Sequence, residues 1–79
     1  MPRKPYIPPG VWPEMMTAET AAGYLDERSV EAFLRRVGTV YPAGRNISGR
    51  GRVWLKRDLD RMIAEIAGGV AVEDADNLL

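Results

Sequence analysis

Residues 17–38 read TAETAAGYLDERSVEAFLRRVG, and the two apolar periods in that stretch, with the break between them, decide the kind of fold. Thr17 stands as an N-cap ahead of AETAAGYL, with Glu19 in the first turn and Ala21, Tyr24 and Leu25 on one side at helical spacing. Val30, Phe33, Leu34 and Val37 follow at i, i+3, i+4 and i+7, the clearest amphipathic pattern in the chain. Asp26 is the expected cap of this second helix, Glu27 is favourable at its positive end, and Gly38 supplies the left-handed stop beyond it. Only about three residues are left between the helices, so they must cross sharply, as in a helix-turn-helix.

From Thr39 onward the helical period vanishes. Val40, Tyr41 and Ile47 are expected to face Val53, Trp54 and Leu55 across Ser48-Gly49-Arg50-Gly51, a β-hairpin with a glycine-containing tip. A two-stranded ribbon is marginal alone, so Trp54 is the natural anchor onto the helices. Leu59, Met62, Ile63 and Ile66 then repeat at i, i+3, i+4 and i+7 before Gly68-Gly69, which predicts a third helix ending at glycine. The expected class is α+β and mostly helical, a winged helix-turn-helix of two helices, a hairpin wing and a third helix. It is expected to occupy residues 14–68. Residues 1–13 hold five of the six prolines and predict an extended arm. Its Tyr6, Ile7, Val11 and Trp12 are expected on the outside of the core, with a proline-rich peptide ligand as the weaker alternative. Residues 69–79 predict a flexible acidic tail.

Seventy-nine residues make room for one small domain, and 46% apolar with 28% charged residues is ordinary globular usage. The absence of cysteine and histidine removes disulfides, thiolate nucleophiles, imidazole bases and the usual zinc sites. Asp58 and Asp60 read as acids complementing the dipole of the third helix rather than as a catalytic pair. No enzyme, cofactor or metal is expected. The longest apolar runs are far below the roughly 18 residues that span a bilayer, and no secretory leader is visible. A cytoplasmic protein without a membrane partner is expected.

Eleven basic and eleven acidic residues cancel, yet the signs are segregated. Residues 28–57 carry Arg28, Arg35, Arg36, Arg45, Arg50, Arg52, Lys56 and Arg57 against Glu31 alone. A solvated face ordinarily mixes signs, and the guanidinium fork suits phosphates and guanine edges, so the island points to an anionic polymer, with a bland solvated face as the other reading. On the second helix the side opposite the apolar stripe shows Arg28, Glu31, Ala32, Arg35 and Arg36, with Ser29 and Thr39 placed to hold phosphates. Glu31 either accepts from cytosine or pairs with Arg35 at i,i+4. On the hairpin, Arg45, Asn46, Ser48, Arg50 and Arg52 are expected along the DNA backbone or in the minor groove, unless the cations only keep an edge ribbon soluble. Thr17, Lys56 and Arg57 are further candidate phosphate contacts.

The run from Met16 to Leu25 (T-x-E-x-A-A-x-Y-L), then Ser29-Val30 through Phe33-Leu34-Arg35-Arg36-Val37-Gly38, then R-V-W-x-x-x-D-L-D from Arg52 to Asp60, resembles the excisionase and AlpA-like group of MerR-related winged helix-turn-helix proteins. The resemblance covers about residues 15–67. It implies sequence-specific binding of double-stranded DNA by a small phage or mobile-element protein, acting as a recombination directionality factor, a transcriptional regulator, or both. One reading helix and one wing bury only about 600–1,000 Å². Cooperation with other copies on repeated sites is therefore expected, and the resemblance implies bending of the DNA and partnership with a site-specific recombinase. The alternative is a protein-interaction module of the same fold that docks an acidic partner such as a recombinase or polymerase subunit.

Overall fold

A computed structural model describes residues 2–78 of the chain, with side chains from 2 to 68. Among the described residues the fold is α+β, with three helices and a three-stranded antiparallel sheet. In chain order the elements are β1 (Met15–Met16), α1 (Ala18–Tyr24), α2 (Val30–Arg36), β2 (Arg45–Ile47), β3 (Gly51–Leu55) and α3 (Lys56–Leu78). The sheet runs β1-β3-β2.

α1 starts where Thr17 requires. The Thr17 hydroxyl accepts from the Thr20 amide, and Thr20, Ala21 and Ala22 are buried beneath it. α2 does not start at the acid expected to cap it. Ser29 is the N-cap, its Oγ accepting from the Ala32 amide at 3.1 Å. Asp26 instead holds φ +58° in the connection, the left-handed conformation that aspartate tolerates better than most residues. Residues 25–29 separate the helices, two more than expected. Beyond α2, Gly38 is left-handed as expected, with φ +90°. The backbone then folds over the helix end, the Val40 and Tyr41 amides both donating to the Arg36 carbonyl.

That wrapping corrects the hairpin. Val40 and Tyr41 are outside its first strand, and pairing begins only after Pro42 and Gly44, in the register Arg45↔Val53, Asn46↔Arg52 and Ile47↔Gly51. Val40 is 48% exposed, whereas Tyr41 enters the core. β1 is a strand the apolar pattern does not reveal, because two residues cannot show an alternation. It pairs Met15↔Leu55 and Met16↔Trp54, so β3 is the central strand rather than half of an isolated ribbon.

The core gathers Met16, Val30, Phe33, Tyr41, Trp54 and Leu59. Phe33 stacks on Tyr41 with ring centroids 5.3 Å apart. On α3 the expected apolar side is only partly used. Leu59 is fully buried and Met62 packs against the core, but Ile63 and Ile66 are 40% and 51% exposed. The helical backbone of α3 continues to Leu78, past the Gly68-Gly69 pair at which it was expected to stop. Glycine inside a helix costs only about 1 kcal/mol and does not forbid continuation. The side chains of the expected acidic tail, residues 69–79, lie outside the described residues. No helix among the described residues is long and apolar enough to cross a membrane.

Candidate functional site

The fold divides the cations into two sets. Six of them meet the chain's own carboxylates. Arg45 Nε lies 3.0 Å from Asp58 and Lys56 Nζ 3.1 Å from Asp60. Arg57 reaches Glu14 at 3.4 Å, Arg36 reaches Glu27 at 3.9 Å and Arg61 reaches Asp58 at 3.8 Å. Arg3 meets both Glu31 and Glu19. Half of the basic island (Arg36, Arg45, Lys56 and Arg57) is thus paired one by one with the chain's own carboxylates, so the whole island is not free to meet an anionic polymer. Among the described residues, Lys4, Arg28, Arg35, Arg50 and Arg52 have no carboxylate partner, and all five are exposed.

The four arginines of this set lie beside or on α2 and on the hairpin. Arg28 stands just before Ser29, the cap of α2, and Arg35 lies in the helix's last turn. Arg50 occupies the hairpin turn, where its amide donates to the Ile47 carbonyl at 2.9 Å. Arg52 is two residues before Trp54 on β3, so the two side chains share one face of the ribbon. Its guanidinium carbon stands 5.9 Å from the centre of the Trp54 ring. That ring meets Phe33 of α2 edge to face at 4.9 Å. The Trp54 face of the ribbon is therefore the face turned to α2. Asn46, exposed and opposite Arg52 in the register, belongs to the same face. Arg45 and Val53 belong to the other face, and Arg45 there closes on Asp58 at the start of α3. A cleft of about 430 Å³ on that side is lined by Tyr41, Arg45, Asp58, Arg61, Met62 and Glu65, so its cations are already neutralised.

Several hydroxyls expected on phosphate are used within the fold. Ser29 Oγ caps α2, and the residue is buried. Thr17 caps α1. Thr39 Oγ1 donates to the Arg36 carbonyl at 2.9 Å. Ser48 is exposed in the hairpin turn, and Ala32 is half-buried on α2.

Glu31 does not pair with Arg35. Its carboxylate accepts the Arg3 amide at 2.8 Å and Arg3 Nε at 2.9 Å. The backbone and side-chain donors of Arg3 hold it far below the usual glutamate range, at about 2, and the same pair raises the Arg3 guanidinium. Tyr41 is pushed up to about 12, first by burial and then by its hydrogen bond to Glu27. Its hydroxyl therefore stays protonated and donates to a carboxylate that also faces Arg36. Tyr24 donates likewise to Asp60, which also binds Lys56.

The sequence leaves Arg3 and Lys4 between a groove contact and plain solvation, and does not show that Arg3 pairs with Glu31 and Glu19. The only local signal of Arg3 is a charge in a proline-rich segment, and its partners lie 16 and 28 residues away. No protein-family model matches the chain, and no characterised protein or solved structure matches it either.

Proposed function

We propose that the chain binds double-stranded DNA as a winged helix-turn-helix, with α2 in the major groove and the β2–β3 hairpin as the wing. The observation that carries this reading is the partition of arginines. Among the described residues Arg28, Arg35, Arg50 and Arg52, beside or on α2 and on the hairpin's tip and Trp54 face, lack carboxylates, while Arg36 meets Glu27 and Arg45, Arg57 and Arg61 have partners at or near α3. Unpaired exposed guanidinium groups on a small neutral domain are costly to crowd together unless an anion completes them. The edge of α2 that displays Ala32 and Arg35, with Arg28 just ahead of the Ser29 cap, is narrow enough for the major groove, and Arg35 can donate two hydrogen bonds to guanine. Arg50, between two glycines at the tip, suits the phosphate backbone or the minor groove.

The resemblance to excisionase and AlpA-like proteins extends the reading to a small phage or mobile-element protein that controls recombination direction or transcription in the cytoplasm. A surface of this size selects a site only through cooperation, so neighbouring copies on repeated sites and bent DNA belong to the same proposal.

Gel shifts and a salt series test it. Each phosphate neutralised contributes about −0.9 to the slope of log affinity against log salt. Four arginines therefore give a slope of roughly −3 to −4. Arg35→Ala and Arg50→Ala should each abolish the shift, whereas Arg61→Ala should not. A flat salt dependence, or variants that keep the shift but lose capture of an acidic protein, would replace DNA with a protein partner.

A further inference from the structure

The amino-terminal arm is folded onto α1 and α2. The Arg3 carbonyl accepts from the Val30 amide, the first residue of α2, at 2.9 Å. The Tyr6 amide donates to the Glu19 carbonyl at 2.9 Å. Between these two bonds the Arg3 side chain spans Glu31 and Glu19. Gly23 leaves the space the arm needs, since a Cβ there would overlap the Tyr6 carbonyl oxygen.

Glu31 is the sole acid in residues 28–57. At four residues before Arg35, it shares that residue's edge of α2. A bare carboxylate on that edge repels phosphate. Arg3 cancels it with two donors, and the next residue, Lys4, is exposed and has no carboxylate partner among the described residues.

We infer that the arm is part of the DNA-binding surface: Arg3, clasped by Glu19 and Glu31, neutralises the one acid on the exposed edge of α2 and sets Lys4 beside it, admitting the helix to the phosphate backbone. This rests on the function proposed above. Arg3 is a positioning residue, acting on the polyanion through Glu31.

The test is fluorescence anisotropy with the full chain and a labelled duplex carrying its site, or random-sequence duplex where no site is known. Arg3→Ala should weaken binding roughly tenfold, because it exposes a like charge at the interface. Arg61→Ala removes one positive charge on α3 and should weaken binding far less. Glu31→Gln in the Arg3→Ala background should restore affinity to within about twofold of wild type. Circular dichroism melts establish that each variant is folded at the assay temperature, and Arg3→Gln replaces any Arg3→Ala protein that is not. Equal losses for Arg3→Ala and Arg61→Ala, or no rescue by Glu31→Gln, overturn the role of the arm while leaving DNA binding intact. Wild-type protein that fails to bind duplex overturns the DNA reading and this inference together.

Discussion

Phe33 of α2 and Trp54 of β3 meet edge to face with ring centroids 4.9 Å apart, and this contact joins the helix to the hairpin. Trp54 is held in that orientation from its other end, where Nε1 donates to the Pro42 carbonyl at 2.9 Å. The spacing between the arginines of α2 and those of the ribbon is thus set by an aromatic pair in the core.

Truncating that pair should be severe in so small a domain. Phe33→Ala is expected to cost about 3–5 kcal/mol, the range for a fully buried aromatic. Trp54→Phe, which loses volume and the bond to Pro42, is expected to cost less. Urea unfolding followed by circular dichroism measures both. A loss below about 1 kcal/mol for Phe33→Ala would contradict its central place.

The start of α2 separates two neighbouring substitutions. Ser29→Ala should destabilise by about 1 kcal/mol through loss of the cap. Asp26→Gly should be neutral or mildly stabilising, because glycine adopts the observed positive φ without strain. The reverse order in thermal melts would return the cap to Asp26.

Two glycines of the hairpin region share a left-handed backbone but differ in surroundings. A Cβ on Gly44 would stand 2.9 Å from Trp54 Cε2 and 3.1 Å from the Val53 carbonyl oxygen, whereas one on Gly49 would meet open space. Gly49→Ala should therefore cost about 1 kcal/mol from the backbone alone. Gly44→Ala should cost more and disturb the tryptophan environment, visible in its fluorescence.

Acid should loosen the arm. Glu31 titrates at about 2 in the fold against an ordinary 4.5, so its pairing with Arg3 stabilises the fold above about pH 4.5 and is lost as pH falls toward 2. The stability difference between wild type and Glu31→Gln should shrink over that window. At the alkaline end, Tyr41 titrates at about 12 rather than 10. Its contribution is present below pH 10 and lost between pH 10 and 12, a loss that Tyr41→Phe should not show.

Arg45 and Arg52 lie on opposite faces of one ribbon and should behave differently. Arg52→Ala should lower DNA affinity and reduce the salt slope by about one. Arg45→Ala should leave the slope nearly unchanged and cost less than about 1 kcal/mol of stability, as an exposed ion pair does. Titrations at several salt concentrations distinguish the two.

The local elements were legible because their signals are local. Thr17 caps α1, the Val30 and Phe33 stripe makes α2, Gly38 is left-handed, and the glycines around Arg50 form the hairpin turn. The cap of α2 was misread because Asp26 and Ser29 are both good caps, and only the backbone conformation chooses between them. β1 escaped because two residues carry no period, and Tyr41 left the predicted strand because Phe33 offers it a buried ring to stack on.

The order of residues by itself determined an α+β chain without thiol or imidazole chemistry, with its arginines concentrated between residues 28 and 57. Tertiary structure alone decided which of those arginines lack a carboxylate partner among the described residues, and which acids Arg3 meets. Charge segregation is counted along the chain, but ion pairing acts over a few ångströms in space. Contacts such as Arg3 with Glu31 or Arg57 with Glu14 join residues that no local pattern connects.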